Sequence, residues 1–213
     1  LEGEEEMIAR KKLPAFAREF SRAFAYAARI HRNQLRKKTR IPYVSHLMAV
    51  AGLVLENGGG QDQAIAALLH DAAEDCGGKR RLADIKRKFG EEVARIVDGC
   101  TDTYERPKPP WKARKEAYVE RVAHEPEDVR LVAAADKLHN ARCVLADYRT
   151  IGERVWKRFK APRDEVLWYH RAVTDALEEA GTNSLVEELD RIVGELERLT
   201  GVRRRRRPAH PES

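Results

Sequence analysis

Apolar residues recur at intervals of three and four along almost the whole chain, and no stretch alternates with the period of two that a half-buried strand requires. That periodicity restricts the fold to helices packed on helices. Phe16, Phe20, Ala23, Phe24, Ala27 and Ile30 form one stripe, and Pro14 suits the first turn of that helix. Ser45 is placed to cap a second helix carrying Leu47, Met48, Val50, Ala51, Val54 and Leu55, which Asn57-Gly58-Gly59-Gly60 ends. Asp62 is placed to cap a third, from Gln63 to about Asp75, broken by Gly77-Gly78. Shorter helices fit Ala83 to Phe89 and Glu91 to Val97. The segment Thr101 to Pro110 holds three prolines and reads as a loop. Further helices fit Trp111 to about His124, Pro126 to about Tyr148, Pro162 to about Ala180 and Ser184 to Thr200.

The expected architecture is all-α, a single-domain helical bundle over residues 13–200. Residues 1–12 read as an N-terminal extension and 201–213 as a disordered basic tail. A length of 213 residues suits one such domain, and 42% hydrophobic residues suffice for a core. Of the formal charge of +6, the run Arg203 to Arg207 accounts for nearly all, so the body of the chain is close to neutral and the basic balance gives little reason to expect specific nucleic-acid binding. Three scattered cysteines, Cys76, Cys100 and Cys143, form no C-x-x-C pair. A disulfide framework or zinc ribbon is not expected, which suits a reducing, cytoplasmic setting. No apolar run approaches a bilayer span, and no secretory leader is visible.

One stretch breaks the apolar pattern chemically. In Leu68-Leu69-His70-Asp71-Ala72-Ala73-Glu74-Asp75, four ionisable groups crowd one end of a helix whose other residues are Ala and Leu. Helical pitch sets Glu74 one turn beyond His70, and Asp75 one turn beyond Asp71. Burying such groups uncompensated is costly, and a divalent cation is one compensation. Matching donors stand elsewhere: His46 near the start of the second helix, and Asp136 inside Ala133-Ala134-Ala135-Asp136-Lys137-Leu138-His139-Asn140. Two imidazoles and two carboxylates suit Mn²⁺, Fe²⁺ or Zn²⁺. Taken singly, each of these residues reads as an ordinary core or surface group; together they read as a ligand set.

The order His46, His70-Asp71, Asp136 resembles the H…HD…D signature of the HD superfamily. Further words narrow the resemblance to alarmone hydrolase domains of the RelA/SpoT type: His31-Arg32-Asn33-Gln34-Leu35-Arg36-Lys37, Pro42-Tyr43-Val44-Ser45-His46, His70 to Asp75, Val97-Asp98-Gly99-Cys100-Thr101 and Asp136 to Asn140. It covers about Phe16 to Val193. The chain departs from the long bifunctional members in having Leu47 after His46, one more residue between Arg36 and His46, and Cys143 where Thr is common.

The resemblance implies that His46, His70, Asp71 and Asp136 bind a single Mn²⁺, and that Glu74 and Asp75 work on the attacking water. It implies that Arg36 and Lys37 approach the nucleotide base and Asn140 the nucleoside. Lys112, Arg114 and Lys115, just after the Pro-rich loop, are candidates to meet pyrophosphate charge. The implied activity is removal of the 3′-pyrophosphate from (p)ppGpp, giving GDP or GTP and pyrophosphate, by a small stand-alone enzyme with no room for a synthetase domain. The partner is then a small-molecule nucleotide, with no membrane, and the apolar faces of the later helices leave a homodimer open. One alternative is an HD-type phosphatase acting on another nucleotide such as NADPH. Another is a non-catalytic nucleotide or RNA binder that uses the arginine tail.

Overall fold

A computed structural model describes residues 15–202 of the chain. Pro14, the extension at 1–12 and the arginine run 203–207 lie outside the described residues. The described chain is helical, with helices α1 (Ala15–Ile30), α2 (Val44–Glu56), α3 (Gln61–Leu69), α4 (Ala72–Cys76), α5 (Gly78–Phe89), α6 (Glu91–Cys100), α7 (Trp111–Val122), α8 (Glu127–Ile151), a 3₁₀ segment (Gly152–Arg158), α9 (Arg163–Ala180) and α10 (Ser184–Thr200). Among the described residues the only β-type pairing is a single antiparallel bridge between Leu35 and Pro42, which closes the loop before α2. No described helix is long and apolar enough to cross a membrane.

The centre is α8, packed against α2, α3, α6, α9 and α10. Its sequence explains how it can have so many neighbours. Val129, Val132, Leu138 and Ala141 are buried together with the run Ala133, Ala134 and Ala135, whose small side chains let neighbouring helices approach closely. Glu127 and Asp128 occupy its first turn, where the helix dipole favours negative charge, and Gly152 ends it with a positive φ of 58°. Further along, Val144 and Leu145 join Val155, Trp156, Val166, Leu167 and Leu196 in a second apolar cluster. Thus one helix takes part in both cores.

The stripes seen in the sequence are for the most part the buried faces; on α2, Leu47, Val50, Ala51 and Val54 are buried, but Met48 (52%) and Leu55 (38%) are exposed. On α1, Ala23, Tyr26 and Ala27 are buried, with Phe20, Phe24 and Ile30 packed partly against them. On α10, Leu185, Leu189, Val193 and Leu196 are buried at helical spacing, and Asn183 caps the helix by accepting the Val186 N–H at 3.0 Å.

Several expected boundaries differ. The expected third helix is two: α3 stops at Leu69, and α4 begins at Ala72. At Asp71 the backbone takes φ −93° and ψ −5°, too flat in ψ to continue a regular α-helix, so the His-Asp pair sits at the joint. Neither expected cap acts as one: the Ser45 hydroxyl donates to the Pro42 carbonyl, and Gly60 stands at the N-cap of α3. Helix α5 starts at Gly78, earlier than expected, and both Gly77 (φ 136°) and Gly78 (φ 61°) take the positive φ that makes the break. The 3₁₀ segment at 152–158 was not expected.

Candidate metal centre and its surroundings

The joint between α3 and α4 points His70 and Asp71 at the starts of α2 and the middle of α8. There His46 Nε2 lies 3.1 Å from Asp136 Oδ1 and 3.7 Å from Asp71 Oδ2. His70 Nε2 lies 3.0 Å from Asp71 Oδ2 and 3.5 Å from Asp136 Oδ1. Two imidazoles and two carboxylates from three separated stretches therefore converge. His46, His70 and Asp136 are all buried, and each offers a donor atom within 4.8 Å of the other two.

Both imidazoles are set so that Nε2 faces the cluster. The Nδ1 of His70 is 2.7 Å from the Ala67 carbonyl, which can only accept, so Nδ1 carries the proton. That leaves His70 Nε2 buried against the carboxylates without a well-directed hydrogen bond, although Asp71 Oδ2 lies 3.0 Å away. A buried nitrogen held in this way, facing two carboxylates, fits a cation-binding site. The Nδ1 of His46 lies 2.8 Å from His139 Nδ1, and burial together with the neighbouring His46 and Arg36 lowers the His139 pKa to about 4. His139 is thus neutral and can accept from His46 Nδ1; in that tautomer His46 turns its Nε2 lone pair to the cluster.

The carboxylates are held as carefully. Asp136 Oδ2 is 2.6 Å from Lys137 Nζ, and Asp136 Oδ1 accepts from Asn140 Nδ2 at 2.6 Å. Burial opposes the charged form of Asp136, but Lys137 and the two histidines outweigh it and hold its pKa well below the ordinary carboxylate range. Asp71 Oδ2 accepts from the Tyr43 hydroxyl. Burial likewise opposes charge on Asp71, and His70 beside it prevails.

The acidic pair after the His-Asp joint diverges. Glu74 has both oxygens engaged: Oε1 by Lys108 Nζ at 2.5 Å and Oε2 by the Asp102 N–H at 3.2 Å. Asp75 Oδ2 accepts from Gln34 Nε2 at 2.8 Å, and burial and the charge of Asp71 raise its pKa.

Cations border this acid cluster. Arg36 Nη2 donates to Asn140 Oδ1 at 2.9 Å, so Asn140 links Arg36 to Asp136. Lys37 lies near the Phe159 ring and close enough to Lys115, Arg36, Asp75 and Asp71 to feel their charge. The three candidates on α7 separate. Lys112 sits over the Trp168 ring and 3.6 Å from Glu116, whereas Arg114 and Lys115 both reach the buried Asp102 carboxylate.

Sequence reasoning singled out neither Tyr43, His139, Lys137, Gln34 nor Asp102. The first four stand inside the quoted words, and only their contacts reveal what they hold. Gly99, in the word Val97 to Thr101, has a packing explanation: a Cβ there would come within 2.7 Å of Val129 Cγ1 on α8.

Comparison with known proteins agrees with this arrangement. The profile of the HD domain family matches residues 23–167, a span that contains all four converging side chains. The guanosine-3′,5′-bis(diphosphate) 3′-pyrophosphohydrolase MESH1 of Homo sapiens is 34% identical over 166 residues, covering 76% of this chain and 86% of that protein. The protein of the same name from Xenopus tropicalis is 33% identical over 165 residues, covering 76% and 85%. Among solved structures, a metazoan ortholog of SpoT that hydrolyses ppGpp and plays a role in starvation responses superposes with a TM-score of 0.71 at 28% identity, covering 90% of this chain and 99% of that one. With a helical fold, the converging His and Asp side chains and relatives matched over most of their length, the chain belongs to the HD domain family, in the group that includes the MESH1 proteins.

Proposed function

We propose that the protein removes the 3′-pyrophosphate from (p)ppGpp, giving GDP or GTP and pyrophosphate, in a Mn²⁺-dependent hydrolysis. The observation that carries this reading is the convergence of His46, His70, Asp71 and Asp136, with His70 Nε2 buried and facing both carboxylates, in a chain whose relatives are named for that reaction. These four side chains would hold one Mn²⁺, for which a mixed nitrogen and oxygen donor set is suited. When bound, the ion supplies Lewis acidity toward a phosphoryl oxygen and toward water.

The chain's own groups do the rest. Asp75 accepts a proton from the attacking water as the water oxygen bonds to the phosphorus next to the ribose. The bond from that phosphorus to the 3′-oxygen breaks, and the 3′-oxygen takes up a proton. Burial and Asp71 raise the pKa of Asp75, which suits a group that takes and returns a proton. Glu74, bound on both oxygens, shapes the wall beside it through Lys108 and Asp102. Arg36 and Asn140 meet the nucleoside, and Lys37 and the cations of α7, Lys112 among them, offset the charge developing on the leaving pyrophosphate. Lys115 is the best supported of the α7 set, because Asp102 anchors it and Lys37 lies close enough to feel its charge.

The test is turnover of purified protein with ppGpp and Mn²⁺, followed by separation of products. Equimolar GDP and pyrophosphate are expected, with none from Asp71→Ala or in excess chelator. Orthophosphate from NADPH in place of pyrophosphate from ppGpp would move the substrate assignment to the rival phosphatase reading.

A further inference from the structure

The loop between α1 and α2 carries a group of contacts that the hydrolytic reading leaves unused. His31 is buried, 2% exposed, and its ring stacks on Tyr43 with centroids 5.4 Å apart and planes inclined by 28°. Its Nδ1 is 2.6 Å from Gln34 Oε1, while Gln34 Nε2 is 2.8 Å from Asp75 Oδ2. The main chain of Gln34 is fixed at both ends. Its N–H donates to the His31 carbonyl at 2.8 Å, and its carbonyl accepts the Tyr43 N–H at 2.9 Å. The bridge between Leu35 and Pro42 closes the same loop.

These contacts admit one orientation. An ionised carboxylate only accepts, so the Gln34 NH₂ faces Asp75 and its carbonyl faces His31. His31 Nδ1 must then carry the proton. An amide cannot pass a proton along this line, so the chain from His31 to Asp75 serves orientation and not proton transfer. It holds Asp75 by Oδ2 and leaves Oδ1 for another partner. The same loop sends the Tyr43 hydroxyl to Asp71, so one closed loop fixes both the acid at the His-Asp joint and the acid one turn beyond it.

We infer that Gln34, itself oriented by His31, is a positioning residue that fixes the Asp75 carboxylate in the rotamer from which it meets the attacking water. The part of this that concerns water rests on the proposed hydrolysis; the part that concerns the rotamer does not.

The test has a structural and a kinetic arm. Gln34→Met keeps the length of the side chain and loses both polar contacts, and Gln34→Glu keeps an acceptor for His31 but loses the donor to Asp75. In crystal structures of both variants, Asp75 is expected to leave the rotamer it holds in the parent protein; an unmoved carboxylate overturns the inference whatever the substrate. With ppGpp and Mn²⁺, kcat is expected to fall at least tenfold while KM stays within twofold and Mn²⁺ affinity by calorimetry is unchanged. A rise in KM with kcat intact overturns it. His31→Phe, which keeps an aromatic ring on Tyr43, is expected to lower kcat in the parent protein but to add nothing to Gln34→Met, because it acts through the same amide. Additive losses would refute the role of His31. If the parent protein itself releases no pyrophosphate, the hydrolase reading fails, and the crystal structures alone decide for or against the positioning of Asp75.

Discussion

Replacing Lys137 by Met should destabilise the metal-free protein far more than the Mn²⁺-bound one. Lys137 Nζ lies 2.6 Å from Asp136 Oδ2, and the two side chains are only 12% and 10% exposed. Met preserves most of the apolar stem and removes the ammonium, which also lies 4.6 Å from the Tyr118 ring centroid. Breaking a buried pair by removing one partner costs about 3–5 kcal/mol. Asp136 keeps Asn140 Nδ2 at 2.6 Å and the two imidazoles, so the lower end applies. For a chain of this size, a loss of about 3 kcal/mol lowers Tm by about 6–12 °C. A bound Mn²⁺ would supply positive charge to the same carboxylate, and in the parent protein Lys137 would repel that ion. The Lys137→Met variant should therefore lose less than half as much stability in saturating Mn²⁺, and its metal-induced rise in Tm should exceed that of the parent. Calorimetric melts of both proteins, in chelator and in excess Mn²⁺, measure this directly. Equal losses in the two conditions would refute the argument, because Lys137 would then be acting on something other than the charge of Asp136.

Other outcomes follow from the same geometry. Arg36→Ala, which removes the cation bound to Asn140, should raise KM for ppGpp by about tenfold or more in steady-state assays and leave Mn²⁺ affinity unchanged. Gly99→Ala should cost about 1–3 kcal/mol in denaturant titrations, since its Cβ would crowd Val129. Acid should unfold the protein partly through His170, whose pKa burial, aided by the charge of Lys137, lowers to about 4. The unfolded chain then holds a proton that the folded chain lacks, so this contribution is complete above the ordinary histidine pKa of about 6.5 and is lost as pH falls toward 4. His170→Gln should flatten the stability profile in that window, which titration of unfolding midpoints against pH will reveal.

The helices were legible because burial repeats with their pitch: the stripe on α1 is a face that packs, as is most of the one on α2. Their interruptions were less so. The joint at His70 and Asp71 carries no Gly or Pro, and nothing in Leu69-His70-Asp71-Ala72 breaks a helix locally. Its geometry answers to tertiary partners, Tyr43 and His46 on one side and Asp136 on the other. Likewise, after Gly152 ends α8, the residues of the 3₁₀ segment have the composition of an ordinary helix, and the second apolar cluster fixes their course through Val155 and Trp156. At the centre, residue type and order pointed to His46, His70, Asp71 and Asp136 as neighbours. They could not indicate that Lys137 would turn toward the residue beside it, or that Lys112 would lie on Trp168 while Lys115 reaches Asp102. Long side chains choose among partners that only the assembled helices supply.

The sharing of α8 between two apolar clusters makes this helix a mechanical strut. Asp136 and Asn140 ride on one half of it, and Val144 and Leu145 anchor the other half among Trp156, Leu167 and Leu196. A rod so clamped cannot tilt at one end without dragging the other. Loosening the distant clamp, more than 50 residues away in sequence at Leu196, would then reach the carboxylate at Asp136 through the helix they share.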